Sequence, residues 1–422
     1  MRIELIVPAT QHSLAKRKKA VAPPLGLATV AALTPPDVDV SLTDENIGTV
    51  DFQIEADLVG ITSLTTTALR AYRIADEFRS RGVKVAMGGI HASVLPEEAS
   101  EHADAVVVGE AEETWPALIE DLKNNRLRPV YKSEKHPALT GLPIPRRELY
   151  ADKAYYIKNT ISASRGCPYA CSFCSVSLLF GRPYRHRPVE EIIQEIRTLD
   201  RRSPILFVDD NIVGSPDFAK ELFRALIPLK IRWLAQSTVT MAKDEELLRL
   251  ASASGCVGVF IGFESLSSDS LAALGKKVNA AEKFEDVIRK IHSHGIAIQG
   301  SFIVGLDEDD DGVFAETLRF AQETRLEVAG FSAPTPLPGT ALHQTLDEAG
   351  RIVTKDWSRY ESEIVFEPKQ MSRQALWEGA AWASREFFSL PSIWRRIGIR
   401  HRHLPLMWGM NLVWRTHYRN RF

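Results

Sequence analysis

Cys167, Cys171 and Cys174 fall within the run Ser164-Arg-Gly-Cys-Pro-Tyr-Ala-Cys-Ser-Phe-Cys-Ser175, in a chain with four cysteines among 422 residues. Core packing asks for no such concentration. Thiolates gathered on one loop bind metal, and three of them leave a four-iron cube one ligand short, so one iron stays open to a substrate or cofactor. A structural zinc site is the alternative, but it needs four tetrahedral ligands, commonly from two knuckles. The remaining thiol, Cys256, stands far off among apolar residues, where it reads as a small buried hydrophobe. Cysteine use this sparse argues against disulfides and for a reduced cytoplasm.

The C-x3-C-x2-C spacing, with Phe173 just ahead of the third cysteine, resembles the signature of the radical S-adenosylmethionine (radical SAM) superfamily. The resemblance implies a 4Fe-4S cluster held by Cys167, Cys171 and Cys174, with the open iron chelating the amino and carboxylate groups of SAM. One electron from the cluster then splits the sulfonium to a 5′-deoxyadenosyl radical. It also places Phe173 near the adenine and calls for an electron donor such as flavodoxin or ferredoxin.

The elements that must position this loop are legible in the periodicity. Residues 1–145 alternate short apolar strands with amphipathic helices, the pattern of a parallel, Rossmann-like α/β sheet. Strands are expected at 3–7, 38–42, 58–61, 83–87 and 105–108, and helices at 67–81 and 112–123. Ligands bind such sheets beyond the carboxyl ends of the strands. The residues there are Gly60-Ile-Thr-Ser-Leu-Thr65, Gly88-Gly-Ile-His91 and Gly109-Glu110. Together with Pro23-Pro-Leu-Gly26, they resemble the cobalamin-binding domain that precedes the barrel in one branch of the superfamily. The resemblance implies corrinoid contacts from Ser63, Thr65, Gly88, Gly89, His91, Gly109 and Glu110. A departure accompanies it. Where many cobalamin proteins carry D-x-H-x-x-G, this chain has Asp44-Glu-Asn-Ile-Gly48, and an amide is a poor cobalt ligand beside imidazole. A corrinoid without a protein histidine beneath it is therefore expected, with His91 hydrogen bonding instead of ligating.

Residues 146–350 repeat strand and helix as a partial (β/α)6 barrel. Strands are expected at 157–163, 205–208, 232–238, 257–262, 297–304 and 328–333, and Ser215-Pro216 is expected to cap and start one of the helices. Barrel function lies at the carboxyl ends of the strands. There stand Asp209-Asp210-Asn211, Gln236, Glu264 and Gly305. The resemblance assigns Asp209 and Asp210 to the SAM amino group, Gln236 and Glu264 to its ribose or aminoacyl part, and Gly305 to the same cofactor surface. Pro334–Thr340 is a rigid loop at the last strand. Arg182, Arg185 and Arg187 follow the cysteines in a segment that either neutralises anionic ligands or leads, solvated, into the next helix.

Residues 351–422 form a helical extension. Beyond Glu386 it contains no Asp or Glu, while Arg395, Arg396, Arg400, Arg402, Arg415, Arg419 and Arg421 accumulate among Trp394, Trp408, Trp414 and Tyr418. Two readings stand: a helix lying on an anionic membrane, at its inner face, or a lid over the barrel mouth. A net charge of −2 argues against nucleic acid as a partner. No signal-peptide segment or uncharged span of membrane length is present, so a cytoplasmic enzyme with a small-molecule substrate is expected. The leading reading is C-methylation of an unactivated carbon with cobalamin as methyl carrier. The alternatives are radical cyclisation or rearrangement on a lipophilic or tetrapyrrole-like substrate, and a non-catalytic corrinoid or SAM sensor.

Overall fold

Apolar runs bounded by turn residues become two parallel sheets layered with helices. The computed structural model describes residues 1–10, 22–276, 278–360, 362–399 and 401–421. The first sheet consists of β1 (Arg2–Val7), β2 (Asp39–Asp44), β3 (Leu58–Thr62), β4 (Lys84–Gly88), β5 (Ala105–Val108) and β6 (Val130–Lys132). Its order is β2-β1-β3-β4-β5-β6, with every pairing parallel. Helices cover both faces, so β1 and β3 are buried on both sides and read as continuous apolar runs. The order reverses between β1 and β3, which opens a crevice at their carboxyl ends. The short β6 is an addition to the expected set. It is held by buried Tyr131, whose hydroxyl donates to Asp121.

The second sheet begins with β7 (Asn159–Ile161). A two-residue hairpin follows, β8 (Ser164–Arg165) against β9 (Arg185–His186). The remaining strands are β10 (Ile205–Phe207), β11 (Trp233–Ser237), β12 (Cys256–Glu264), β13 (Ala297–Ile303) and β14 (Val328–Ser332). They pair in parallel as β14-β13-β12-β11-β10-β7, an open six-stranded barrel. Trp233 packs its ring against Phe207 and against Phe223 of the outer helix Pro216–Leu226. That packing faces Trp233 outward and turns the alternate residues Leu234 and Gln236 to the lumen. Ser215 precedes this helix in extended backbone, but its hydroxyl makes no capping bond, so Pro216 at the first turn supplies the start signal.

The C-terminal helices Arg373–Phe387, Leu390–Ile397 and Leu404–Arg421 correct the lid expectation. The first runs along β14 from beside Gly305, and the other two lie against the amino ends of the barrel strands, opposite the mouth. Ile393, Ile397 and Met407 pack on Val257 and Ala297, near the starts of β12 and β13. The buried Arg396 guanidinium donates to the carbonyls of Leu326, Glu327 and Phe387 and to Asn411 Oδ1, and lies over the Phe387 ring at 3.5 Å. Burial pulls its pKa down to about 9. Arg400 lies outside the described residues, as does the side chain of Arg421. No helix among the described residues is long and apolar enough to cross a membrane.

Candidate active site between the facing sheet ends

The cysteine loop grows from a fixed root. Asp209, buried directly after β10, accepts hydrogen bonds from the backbone N–H of Ala163 and of Ser164 and, at 2.5 Å, from the Ser164 hydroxyl. Gly166 then turns with φ +85°, and a Cβ there would strike the Pro183 carbonyl. The loop is tied again where Ser172 N donates to Leu274 O at 2.9 Å and Leu342 N donates to Ser172 O at 2.8 Å. On it, Cys167, Cys171 and Cys174 are free, half-buried thiols. Burial pushes all three above the ordinary cysteine value, and the Lys276 ammonium works against that rise. Cys256 is no candidate for a fourth ligand. It opens the nine-residue β12, whose last residue, Glu264, reaches Cys171 electrostatically. Roughly 26 Å of strand separates the two ends. Among the described residues no group of three His, Cys, Asp or Glu side chains is drawn together around a single point.

Polar groups end the neighbouring strands. A register shift between Gly262 and Glu264 and a φ of +69° at Glu264 fold its carboxylate back over Gly262, where it accepts Lys276 Nζ at 2.6 Å. Asp210 lies within electrostatic reach of Cys167 and Cys174, its carboxyl pushed up to about 6 by burial. Gln236 is exposed to the lumen, and Phe173 packs beside Leu274, Ile303 and Leu306. Two expectations need correction. Asp209 is buried with both oxygens accepting bonds at the loop root, so its work in this structure is to position the cysteines. Gly305, with φ +88°, is packed so closely on Leu376 that no side chain fits. That the residue is glycine answers to the helix Arg373–Phe387.

The α/β domain presents its own strand ends to the same space. Gly89 stands at φ +90° with Ser63 O and Thr62 Oγ1 each 2.7 Å from where a Cβ would be, and Ser63 is buried with its hydroxyl on Gly88 O. Gly109, at φ +85°, faces open space. A cavity of about 190 Å³ is lined by Thr65, His91 and Val94 from this domain and by Ser175, Leu337 and Pro338 from the barrel. Ser175 adjoins Cys174, and Leu337-Pro338 follows β14. The carboxyl ends of the two sheets therefore face each other across one cleft. His91 has both ring nitrogens engaged, Nδ1 with Thr65 and Nε2 with Glu98, each at 3.3 Å, and Trp357 meets its ring edge-on. Neither nitrogen is left for a metal. Asn46 likewise donates its amide to Asp44 Oδ1 within its own loop.

Glu110 departs from its expected place as a corrinoid contact. Its carboxylate is buried under Arg165, Arg185 and His136, which leaves no oxygen facing the cleft. Of the arginine segment after the cysteines, Arg185 and Arg187 are thus structural, Arg187 pairing with the buried Glu195 at 2.5 Å. Lys276, Arg165 and Trp357 were not singled out from sequence.

Comparison with known proteins decides the family. The Radical SAM superfamily profile matches residues 161–321, and the B12 binding domain profile matches residues 14–119. Bacteriochlorophyllide d C-12(1)-methyltransferase of Chlorobaculum tepidum is 34% identical over 422 residues, covering 97% of this chain and 91% of that protein. The chain belongs to the cobalamin-binding radical SAM enzymes. Bacteriochlorophyllide d C-8(2)-methyltransferase of the same organism is 33% identical, covering 80% of this chain and 78% of that one. Among solved structures, the radical SAM methyltransferase TsrM of Kitasatospora setae, with cobalamin and a [4Fe-4S] cluster bound, superposes with a TM-score of 0.73 at 17% identity, covering all of this chain and 97% of its own. This cobalamin-binding radical SAM enzyme takes a 4Fe-4S cluster, SAM and cobalamin as cofactors, and its residues fit them. Three thiols share a loop that offers no fourth, and the facing strand ends carry glycines at the two turns nearest the cleft.

Proposed function

We propose that this enzyme methylates an unactivated carbon of a flat, largely apolar macrocycle of the tetrapyrrole class. The observation that carries the reading is the shared cavity wall: Ser175, next to the last cluster cysteine, lines the same space as Thr65 and His91 of the corrinoid domain. Two relatives that the chain matches over most of their length are named for methylating bacteriochlorophyllide d, which supports the substrate class. With the cofactors bound, the chemistry supplied is one-electron cleavage of SAM and delivery of a methyl group. The chain's own residues do the rest. Cys167, Cys171 and Cys174 hold the cluster, while Asp210, Gln236 and the Glu264–Lys276 pair bind and orient SAM, with Phe173 beside its adenine. Ser63, Thr65, Gly88, Gly89 and Gly109 would bear on the corrinoid, and the loop Asp44–Gly48 would offer it Asn46 in place of a histidine. Flavodoxin or ferredoxin serves as electron donor.

The test is anaerobic reconstitution with iron, sulfide and hydroxocobalamin, followed by turnover with reductant, methyl-deuterated SAM and bacteriochlorophyllide d. The expected result is one labelled methyl per product, with 5′-deoxyadenosine and S-adenosylhomocysteine as co-products. Deoxyadenosine without methyl transfer would turn the reading to cyclisation or rearrangement. Absence of both deoxyadenosine and labelled methyl from reduced protein would leave only a sensor.

Peripheral contact with an anionic membrane is proposed for the tail. Trp394, Ile399, Leu412 and Val413 are exposed there with Arg395, Arg402 and Arg419, and no carboxylate intervenes. Each arginine near an anionic surface contributes about 1 kcal/mol, and salt screens it. Vesicles containing anionic lipid should sediment the wild-type protein at low salt but not a Trp394→Gln/Val413→Gln variant. Equal behaviour of the two proteins removes the membrane contact.

A further inference from the structure

Ser164 and Arg165 are consecutive, yet each is held by a different domain. Ser164 is bound to Asp209 of the barrel. Arg165 donates to Glu110 Oε2 and pairs with Glu112 Oε1, both at 2.6 Å and both in the α/β domain. Across the hairpin, Arg185 stands opposite Arg165 in register and gives its own bond to Glu110 Oε1 at 2.7 Å. His136, in the segment between the domains, adds Nδ1 at 2.9 Å. Its ring lies over Gly181, where a Cβ would come within 2.5 Å of Nε2. Both arms of the hairpin that carries the cluster cysteines are therefore fastened to one buried carboxylate of the neighbouring domain.

The hairpin cannot fix itself. Two residues per strand is far below what an isolated pair needs for stability in water. Its geometry must come from what grips it, and the grip from Glu110 falls two residues before Cys167. Glu110 also begins the helix Ala111–Lys123 directly after β5 and Gly109, so it belongs to the same strand end that faces the cleft. Any displacement of that strand end passes through Arg165 to the first cluster ligand.

We propose that Glu110 is a positioning residue, which sets the spacing between the cluster loop and the corrinoid-bearing strand ends through Arg165 and Arg185. The inference rests on the reading that the cleft holds both groups. Transfer between two bound groups is steeply sensitive to their placement, with roughly 1 Å of error able to cost 100-fold in rate. A mere domain adhesive would hold the halves together without tuning that spacing.

Glu110→Gln keeps the side-chain shape and removes the charge. In the cofactor-free protein, amide exchange across residues 164–187 should accelerate roughly tenfold while the sheet cores stay protected. In the loaded protein, iron and cobalamin contents should match wild type. The magnetic coupling between Co(II) and the reduced cluster, read by electron paramagnetic resonance, should change from one well-defined value to a broad distribution. A Glu110→Gln protein that fails to fold passes the question to Arg185→Gln, read in the same way. Wild-type exchange and wild-type coupling in the variant overturn the proposal and leave the network as inert adhesive. Failure of wild-type protein to bind a cluster or cobalamin is a separate outcome, and it overturns the functional reading first.

Discussion

Replacing Gly89 by alanine should weaken cobalamin binding by an amount that can be worked from the turn itself. Gly89 has φ +90° and ψ −179°, a region that is essentially glycine-only and costs about 1–3 kcal/mol for another residue. The added Cβ would also sit 2.7 Å from Ser63 O. That oxygen accepts His91 N at 3.1 Å, while Ser63 N donates to Gly88 O at 2.9 Å. The loop cannot yield without loosening those bonds, and overpacking of this kind typically adds about 1–3 kcal/mol. If half of the combined cost falls on residues 62–65, binding loses about 2 kcal/mol, or roughly 30-fold in Kd. Gly109→Ala is the control. Gly109 has a similar φ, +85°, but nothing lies within 4 Å of its Cβ position, so only the backbone term applies and the loss should stay under about tenfold. Hydroxocobalamin titrated into cluster-free protein and followed by absorbance gives both constants, with circular dichroism as the check on folding. Gly89→Ala binding within about twofold of wild type, or Gly109→Ala weaker than Gly89→Ala, would refute the reasoning.

Other outcomes follow from the same geometry. Alanine at Cys167, Cys171 or Cys174 should abolish iron incorporation, whereas Cys256→Ala should keep the full iron content and cost only core stability, of order 1 kcal/mol; metal analysis and cluster absorption decide. Lys276→Met strips the partner from the buried Glu264 carboxylate and should weaken SAM binding at least tenfold, with stability falling by about 3–5 kcal/mol, measurable by equilibrium dialysis and thermal melting. At Glu327, burial favours the neutral acid, but hydrogen bonds from His292 and His401 outweigh it and hold the pKa near about 2. A depressed carboxylate stabilises above its unfolded value near 4.5 and loses that contribution as pH falls toward 2. Attachment of the 404–421 helix should therefore weaken below pH ~4.5 by up to about 3 kcal/mol. Rate-corrected amide exchange of that helix reports the loss, and Glu327→Gln should show none of this acid dependence.

What the sequence made legible is what local patterns encode. Strand β5 falls on its expected residues, the helix Pro216–Leu226 starts where Ser215-Pro216 placed it, and the other expected strands end within two residues of expectation, because burial on one or both faces writes its period into the chain. The cysteine loop was legible because reactive residue types cluster in sequence. Contacts made across long separations left no such trace. Glu110 finds Arg165 and Arg185 at separations of 55 and 75 residues, and a Gly-Glu pair after a strand looks the same whether it meets a ligand or another domain. Lys276 is one of two adjacent lysines, Lys276-Lys277, and nothing local marks it out; its role depends on the backward turn at Glu264. Two-residue strands such as β8 and β9 are too short to show any period. The tail's arginines and tryptophans suit a membrane face and a packed helix equally well by composition. Arg396 reveals its side only when three carbonyls are found around it.

The position of that tail has a consequence for traffic through the enzyme. The amino ends of the barrel strands are covered by helices pinned through Arg396, Asn411 and Met407, and the carboxyl ends are faced by a second sheet. Reactants accordingly pass neither up from the floor nor straight down from above. What remains is the seam where the two sets of strand ends meet, a slot with Thr65 and His91 on one wall and Ser175 and Leu337 on the other. A slot selects by thickness rather than by length. A planar molecule slides in edge-on, and its far side can trail into solvent while one carbon reaches the middle. A bulky, three-dimensional molecule of the same mass is stopped at the rim.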